Sequence, residues 1–153
     1  MRTLLFRLAV LGLALGLVRL PAAFGADNLK LNPHLDYDSD SIDGPLITGD
    51  DMQAGIASQK LNYIIIYGEG CFNSKRQARR TVDLYQHYRG RVQFVVIDLD
   101  GHQSPAQQDL TKKYYTGSIP HVVIVDQHGR SLYDQAGEVG EEQLSSIFDK
   151  ALQ

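Results

Sequence analysis

Three continuous apolar runs divide residues 58–153 into segments with different hydrophobic periods. The runs at 63–67, 94–97 and 121–125 are rich in Ile, Val and aromatic residues, which is typical of strands buried on both faces of a sheet. Between and after these runs, apolar residues recur at helical spacing. The predicted elements are a strand at 63–67, a helix at 74–88, a strand at 92–99, a helix from Ser104, strands at 121–125 and 130–136, and a helix from Glu141.

This order, β-α-β-α-β-β-α, predicts an α/β domain at 58–153 with a mixed sheet of about four strands flanked by helices. The two βα units imply right-handed crossovers and parallel pairing, and the last two strands form an antiparallel hairpin. The start of the second helix is well marked: Ser104 is in the N-cap position, Pro105 comes first in the helix, and Gln107 stands three residues after the cap.

Residues 1–25 have the pattern of a secretory signal peptide. Arg2 gives a positive start, an apolar run follows at 8–18, and small residues precede a predicted cleavage after Gly25. An uncleaved membrane anchor is the alternative, but the run is shorter than the roughly 20 residues that span a bilayer and Arg19 interrupts it. Either interpretation places the domain outside the cytoplasm, in the periplasm or secreted, with membrane contact only through this segment.

Residues 26–57 are predicted to be a flexible lead-in, because they are polar and show little periodicity. The pattern allows a short edge strand at 45–48 and a short helix from Asp50 or Asp51 through Ser58. The alternating aspartates at 36–43 lack the glycine and closing glutamate of a calcium loop. We interpret them as a solvated tail.

Charge and cysteine content exclude several classes of function. The formal net charge of the 153 residues is -3, and loss of 1–25 would make the domain more acidic, because that segment holds three arginines and no acid. An acidic domain argues against nucleic acid as a partner. The single cysteine, Cys71, rules out an internal disulfide. Its pairing with one histidine would give too few ligands for a metal, so we predict no metal and no cofactor.

Cys71 stands on the turn from the strand at 63–67 into the following helix, after Gly68 and Gly70. Backbone N–H groups at a helix N-terminus stabilise negative charge, which favours the reactive thiolate. We predict that Lys75 and Arg76 also tune the thiolate or attract an anionic partner; a solvated basic face is the alternative. A small buried hydrophobe is the other interpretation of Cys71.

The stretch YGEGCFNSK at 67–75 resembles the active-site region of the thioredoxin superfamily, in which Cys-x-x-Cys opens a helix after a core strand. Three further matches are the Asp-x-Asp at 98–100, the Ser-Ile-Pro at 118–120 and Gly137. The resemblance extends from about 59 to 152. It implies a thioredoxin-like fold in which Pro120 is cis and lies against Cys71.

Four departures from the superfamily pattern bear on activity. Ser74 replaces the resolving cysteine, and Gly70 replaces a common tryptophan, which is expected to open that side of the site. Ile65 stands where thioredoxins have a buried acid, and His121 where a threonine is common. A complete dithiol reductase is therefore not expected.

The resemblance assigns roles to the remaining candidates. Cys71 and Ser74 would be catalytic, with the Ser74 hydroxyl either bonded to the thiolate or capping the helix. Ile119, Pro120 and the preceding loop would hold a substrate strand by backbone pairing. His121 would touch substrate or tune the thiol; an ordinary strand residue at the sheet edge is the alternative.

Three functions follow as hypotheses. The first is extracytoplasmic thiol–disulfide exchange by a single cysteine, with protein thiols or disulfides or small thiols as partners. The second is a redox-inert module that uses the groove beside Gly70 and Pro120 to bind a partner protein. The third is covalent dimerisation through Cys71. The sequence predicts no oligomeric state.

Overall fold

The computed structural model describes residues 25–153, which form a four-stranded mixed sheet with helices on both faces and a separate two-stranded hairpin. The signal peptide predicted at 1–25 falls almost wholly outside the described residues and stays a prediction. The elements are β1 Asp27–Leu31, β2 Ile47–Asp50, β3 Leu61–Tyr67, α1 Phe72–Tyr88, β4 Val92–Asp98, α2 Pro105–Tyr114, β5 His121–Val125, β6 Ser131–Ala136 and α3 Glu141–Ala151.

The four-stranded sheet has the order β4-β3-β5-β6. β3 lies parallel to β4 and antiparallel to β5, and β5 lies antiparallel to β6. The predicted β-α-β-α-β-β-α order and the mixed four-stranded sheet are therefore confirmed. The capping box that opens α2 is present, with the Ser104 side chain accepting from the Gln107 N–H. α1 begins at Phe72, two residues before the predicted start.

The core consists of two apolar layers, one on each face of the sheet. All seven residues of β3 are buried because side chains of alternate residues enter opposite layers. Tyr63, Ile65 and Tyr67 pack towards α1 and α3, where Phe94 and Phe148 complete an aromatic cluster. The second layer lies under α2 and is formed by Ile64, Ile66, Val95, Ile97, Leu110, Tyr114, Val123 and Val125.

The prediction of a flexible lead-in is wrong for most of 26–57. β1 and β2 pair antiparallel, and Leu29, Leu46 and Ile47 are almost fully buried in the layer beneath α1. The backbone N–H of Asn28 donates to the Tyr85 hydroxyl at 2.8 Å, and that of Leu46 donates to the Tyr67 hydroxyl at 3.2 Å. The segment is ordered because its few apolar residues and its backbone groups find partners on α1 and β3.

The short helix expected up to Ser58 is also absent. Asp50 is the last residue of β2, and turns follow it. Asp51 has φ 50°, in the left-handed region, which is incompatible with the first turn of a right-handed helix. Within 25–153, no helix is both long and apolar enough to cross a membrane.

Candidate functional site around Cys71

Cys71 is the N-cap residue of α1, at the carboxyl end of the central strand β3. Its backbone is extended, with φ -104° and ψ 118°, and its side chain makes no capping hydrogen bond. Its carbonyl accepts the first helical hydrogen bond from the Lys75 N–H at 3.0 Å. The residue is partly exposed and its thiol is free. This partial exposure does not fit the interpretation of Cys71 as a small buried hydrophobe.

The loop before β5 lies directly opposite the thiol. The peptide bond between Ile119 and Pro120 is cis, and the Cys71 Sγ lies 3.9 Å from the Ile119 carbonyl oxygen. The N–H of Gly137 donates to the Pro120 carbonyl at 2.7 Å. Gly137 has φ 99°, which a glycine adopts without strain. The structure thus brings together Cys71, Ile119, Pro120 and the matching glycine.

Ser74 occupies the third position of α1 and is fully buried. Its hydroxyl oxygen has no hydrogen-bond partner among residues 25–153. Neither expected contact is formed: the N-cap of the helix is Cys71, and no hydrogen bond joins the Ser74 hydroxyl to the thiol. Its catalytic role stays a prediction.

The two candidate cations next in the helix have other partners. Lys75 is 1% exposed, and its ammonium donates to the Ser41 carbonyl at 2.9 Å, to the Ser41 hydroxyl and to the Asp36 carbonyl. The Arg76 guanidinium pairs with the carboxylate of Glu138, which holds the pKa of that carboxyl below its usual value. Their role in tuning the thiolate stays a prediction. The alternative of a solvated basic face is wrong for Lys75.

His121 is 2% exposed and belongs to an interior strand of the sheet. Its Nε2 lies 2.7 Å from Asp134 Oδ1 on β6, and its Nδ1 has no partner in the part of the chain that the structure describes. Alternation along β5 puts its side chain on the same face as Val123, towards α2 and away from α1. The sheet-edge interpretation is wrong. The proposed contact with substrate stays a prediction.

Two aspartates bond the turn that carries Cys71, and the sequence did not single out either for this role. Asp40 Oδ1 accepts from the Phe72 N–H at 2.7 Å, and Asp100 Oδ2 accepts from the Glu69 N–H at 2.8 Å. Asp100 belongs to the noted Asp-x-Asp match, which gave a partial signal. Asp40 looked like one of several solvated acids, and its contact spans 32 residues, so no local pattern could reveal it.

Residues 36–43, which we call the strap, also cover the side of the site beside Gly70. A Cβ added at Gly70 would lie 2.6 Å from Ile42 Cγ1 and 3.4 Å from the Asp40 carbonyl oxygen. The expectation that glycine leaves this side open is therefore wrong. Gly70 is needed because the strap approaches its backbone so closely, and the Ile42 side chain lies where a side chain at position 70 would begin.

A carboxyl pair lies on the other side of the turn. Burial, with the charge of Asp98 and a hydrogen bond to it, raises the pKa of Glu69 to about 7. Burial also raises the pKa of Asp98, whose Oδ2 accepts from the Tyr67 hydroxyl at 3.3 Å. Both carboxyls line a cavity of about 340 Å³, together with Ile47 and Met52.

Possible metal ligands and a cavity away from Cys71 are the remaining features of the described residues. Among residues 25–153, no group of three or more His, Cys, Asp or Glu side chains is placed to hold a metal. A cavity of about 660 Å³ is lined by Leu61, Gly90 and Arg130. These residues lie at the end of the sheet opposite Cys71, so this cavity is separate from the thiol site.

Comparison with known proteins agrees with this architecture. A family model described as a thioredoxin-like domain matches residues 49–152. A thylakoid membrane protein of Synechocystis sp. is 29% identical over 98 residues, covering 60% of this chain and 49% of that protein. The chain thus spans about half the length of the curated relative that it matches.

Solved structures show the same fold at lower identity. Thioredoxin-2, described as a component of the malaria parasite protein secretion machinery, has a TM-score of 0.52 at 16% identity, covering 65% of this chain and 90% of that one. A second malarial protein has a TM-score of 0.51 at 18% identity, covering 61% and 99%. With the family model matching more than half of its length, the chain belongs to the thioredoxin-like domain family.

Proposed function

We propose that this protein carries out thiol–disulfide exchange outside the cytoplasm through the single thiol of Cys71. One observation carries the proposal: a free, partly exposed thiol stands at the N-cap of α1, 3.9 Å from the carbonyl that precedes the cis proline. An extracytoplasmic location agrees with the apolar N-terminal run and with the thylakoid membrane relative.

The proposed reaction has two steps. The Cys71 thiolate attacks one sulfur of a disulfide R–S–S–R′, forms the mixed disulfide Cys71–S–S–R and releases R′–S⁻. The Ser74 hydroxyl cannot attack this mixed disulfide in turn, so the intermediate persists until a thiolate R″–S⁻ from outside attacks the sulfur of R and breaks it. That second exchange forms R–S–S–R″ and returns Cys71 to the thiolate.

The backbone around Ile119 and Pro120 is the proposed binding surface for a substrate strand. It faces the thiol, so an extended peptide lying along it would present its sulfur to Cys71. Proteins or small molecules with a thiol or disulfide are the proposed partners.

Trapping of mixed disulfides in cells tests the proposal. Because Cys71 is the only cysteine, every thiol-dependent adduct of the chain reports on this residue. We expect adducts on non-reducing gels that disappear on reduction and in Cys71→Ser, while Ser131→Ala, a change on the exposed strand β6, leaves them unchanged. The proposal fails if Cys71 in the folded protein is alkylated at neutral pH no faster than in the denatured chain and no adduct forms.

A redox-inert binding module is the second candidate. Carboxylates already occupy the N–H groups of Glu69 and Phe72 beside the thiol, and a hydroxyl stands where a second thiol would complete the chemistry. This function predicts that Cys71→Ser retains the cellular phenotype. Covalent dimers through Cys71, the third possibility, would appear directly on non-reducing gels of protein from its native compartment.

A further inference from the structure

We propose that the Cys71 site selects cationic or neutral disulfides over anionic ones such as glutathione disulfide, through the carboxylates of Asp40 and Asp100. The inference rests on the proposed exchange activity and names its substrate class. It reverses the expectation from sequence, in which the basic residues that follow Cys71 would attract an anionic partner.

The carboxylates of Asp40 and Asp100 both lie on the turn that contains Cys71. Asp40 bonds the N–H of the residue after Cys71, at 2.7 Å, and Asp100 bonds the N–H of the residue two before it, at 2.8 Å. Both aspartates are exposed, so their charge reaches an incoming ligand as well as the turn. The fold therefore holds two negative groups on the turn that carries the thiol, one on each side of Cys71 in the chain.

The cations of α1 are directed to protein partners other than the thiol. Arg76 and Arg80 share the carboxylate of Glu138, and Arg79 pairs with Asp38 at 3.4 Å. Lys75 is buried against the backbone of the strap. The side chains of Arg76, Arg79 and Arg80 are thus engaged by carboxylates, two of them by the same one, and the Lys75 ammonium points into the strap.

The count of charges points the same way. The strap, the stretch 68–80, the stretch 98–100 and Glu138 together hold eight acids and four cations. The pKa values of Glu69 and Asp98 are raised, and without these two the acids still outnumber the cations by six to four. The segments around Cys71 therefore carry a net negative charge. Like charges at an approach surface slow association, and opposite charges accelerate it.

Exchange rates with three small disulfides test the inference on the full chain. The probes are cystamine, which is cationic, 2-hydroxyethyl disulfide, which is neutral, and glutathione disulfide, which is anionic. Formation of the Cys71 mixed disulfide is followed by mass spectrometry at neutral pH. The same rates for N-acetylcysteine amide serve as reference, so the thiolate fraction and the leaving group cancel in the ratio of rates.

At low salt we expect the normalised ratio of the cystamine rate to the glutathione disulfide rate to be about five- to tenfold, with the neutral probe between them. At 1 M salt, where charges are screened beyond roughly 3 Å, the ratio should fall towards one. Asp40→Asn, which keeps an oxygen acceptor for the Phe72 N–H, should lower the low-salt ratio by about two- to threefold. Asp100→Asn should do the same.

The matched control is Asp109→Asn, which removes an exposed aspartate of α2 whose ion pair is with Lys112. It should leave the ratio unchanged. Reaction with neutral iodoacetamide shows whether a variant still presents its thiol, since loss of charge alone does not slow that reaction. The inference is overturned if the normalised ratio of the cystamine rate to the glutathione disulfide rate is at or below one, or if neither salt nor the aspartate substitutions change it. Either result leaves the proposed exchange activity in place. Absence of mixed disulfide with all three probes overturns the proposed function together with it.

Discussion

Cys71 and Ser74 present two different chemical situations within one helical turn. The thiol is partly exposed at the N-cap, whereas the hydroxyl is buried with no hydrogen-bond partner in the described part of the chain. An unsatisfied buried hydroxyl destabilises the fold by about 1 to 3 kcal/mol. The position is therefore tolerant of a sulfur atom, which needs a hydrogen bond less than an oxygen does.

Ser74→Cys tests whether this position alone separates the protein from a dithiol exchanger. A mixed disulfide on Cys71 should be released at least about tenfold faster in this variant, because a thiol one turn away attacks at high effective concentration. The lifetime is measured from the thionitrobenzoate adduct of the chain. Ser74→Ala, which supplies neither sulfur nor hydroxyl, should keep the long lifetime. Equal lifetimes in the two variants would contradict the prediction.

Glu69 gives the stability of the protein a predictable pH dependence. Its folded pKa, raised to about 7 by burial and by Asp98, means that the folded state holds a proton which the unfolded state loses near its ordinary pKa of about 4.3. Stability from this group is therefore present at low pH and is lost as the pH rises through 7. Since solvent reaches the carboxyl, we expect the free energy of unfolding to fall by only about 1 kcal/mol over this pH range.

Denaturant unfolding at pH 5 and pH 8 measures this change. Glu69→Gln should flatten the difference between the two pH values, while Glu142→Gln, on an exposed position of α3, should leave it as in the natural chain. A Glu69→Gln profile that parallels the natural one would show that other groups control the dependence.

At the scale of elements, one buried cation joins α1 to the strap. The Lys75 ammonium donates to two backbone carbonyls and one hydroxyl of the strap. Lys75→Met keeps the length of the side chain but leaves these acceptors without a donor. We expect a loss of about 2 kcal/mol in unfolding free energy and faster proteolytic cleavage within 36–43, mapped by mass spectrometry. Lys112→Met, an exposed lysine of α2, is the control and should change neither; cleavage at the natural rate in Lys75→Met would refute this role.

The elements differ in how far the sequence could predict them. The strands β3, β4 and β5 and the capping box of α2 follow from local patterns of two to five residues. β1 and β2 do not, because their apolar residues are few and their partners are distant: Asn28 bonds Tyr85, 57 residues away. At the site, the thiol and the proline could be placed by resemblance. The contacts of Asp40 and Ile42 could not, since they depend on how the strap folds back over α1.

At the scale of the whole molecule, we expect the stability of the fold to depend on the segment that precedes the β-α-β-α-β-β-α unit. Leu29, Leu46 and Ile47 belong to the same apolar layer as α1 and α3. Leu46→Ala should lower the unfolding free energy by about 2 to 4 kcal/mol, because Leu46 is fully buried. Ile42→Ala, four residues earlier and largely exposed, should lower it by about 0.5 kcal/mol or less. Equal effects in thermal or denaturant unfolding would mean that the hairpin contributes little to the core.

The anchoring of the strap has a consequence for how the protein is made. Ribosomes produce residues 26–50 before α1 and β3, on which that segment packs. The contacts of the strap with α1 can therefore form only after residues up to Tyr88 have been synthesised. Until those contacts form, the residue after Cys71 lacks the Asp40 carboxylate and Gly70 lacks the cover of Ile42. The thiol of the incompletely folded chain is therefore less covered on the Gly70 side than the thiol of the folded protein. It gains this cover only when the strap packs onto α1.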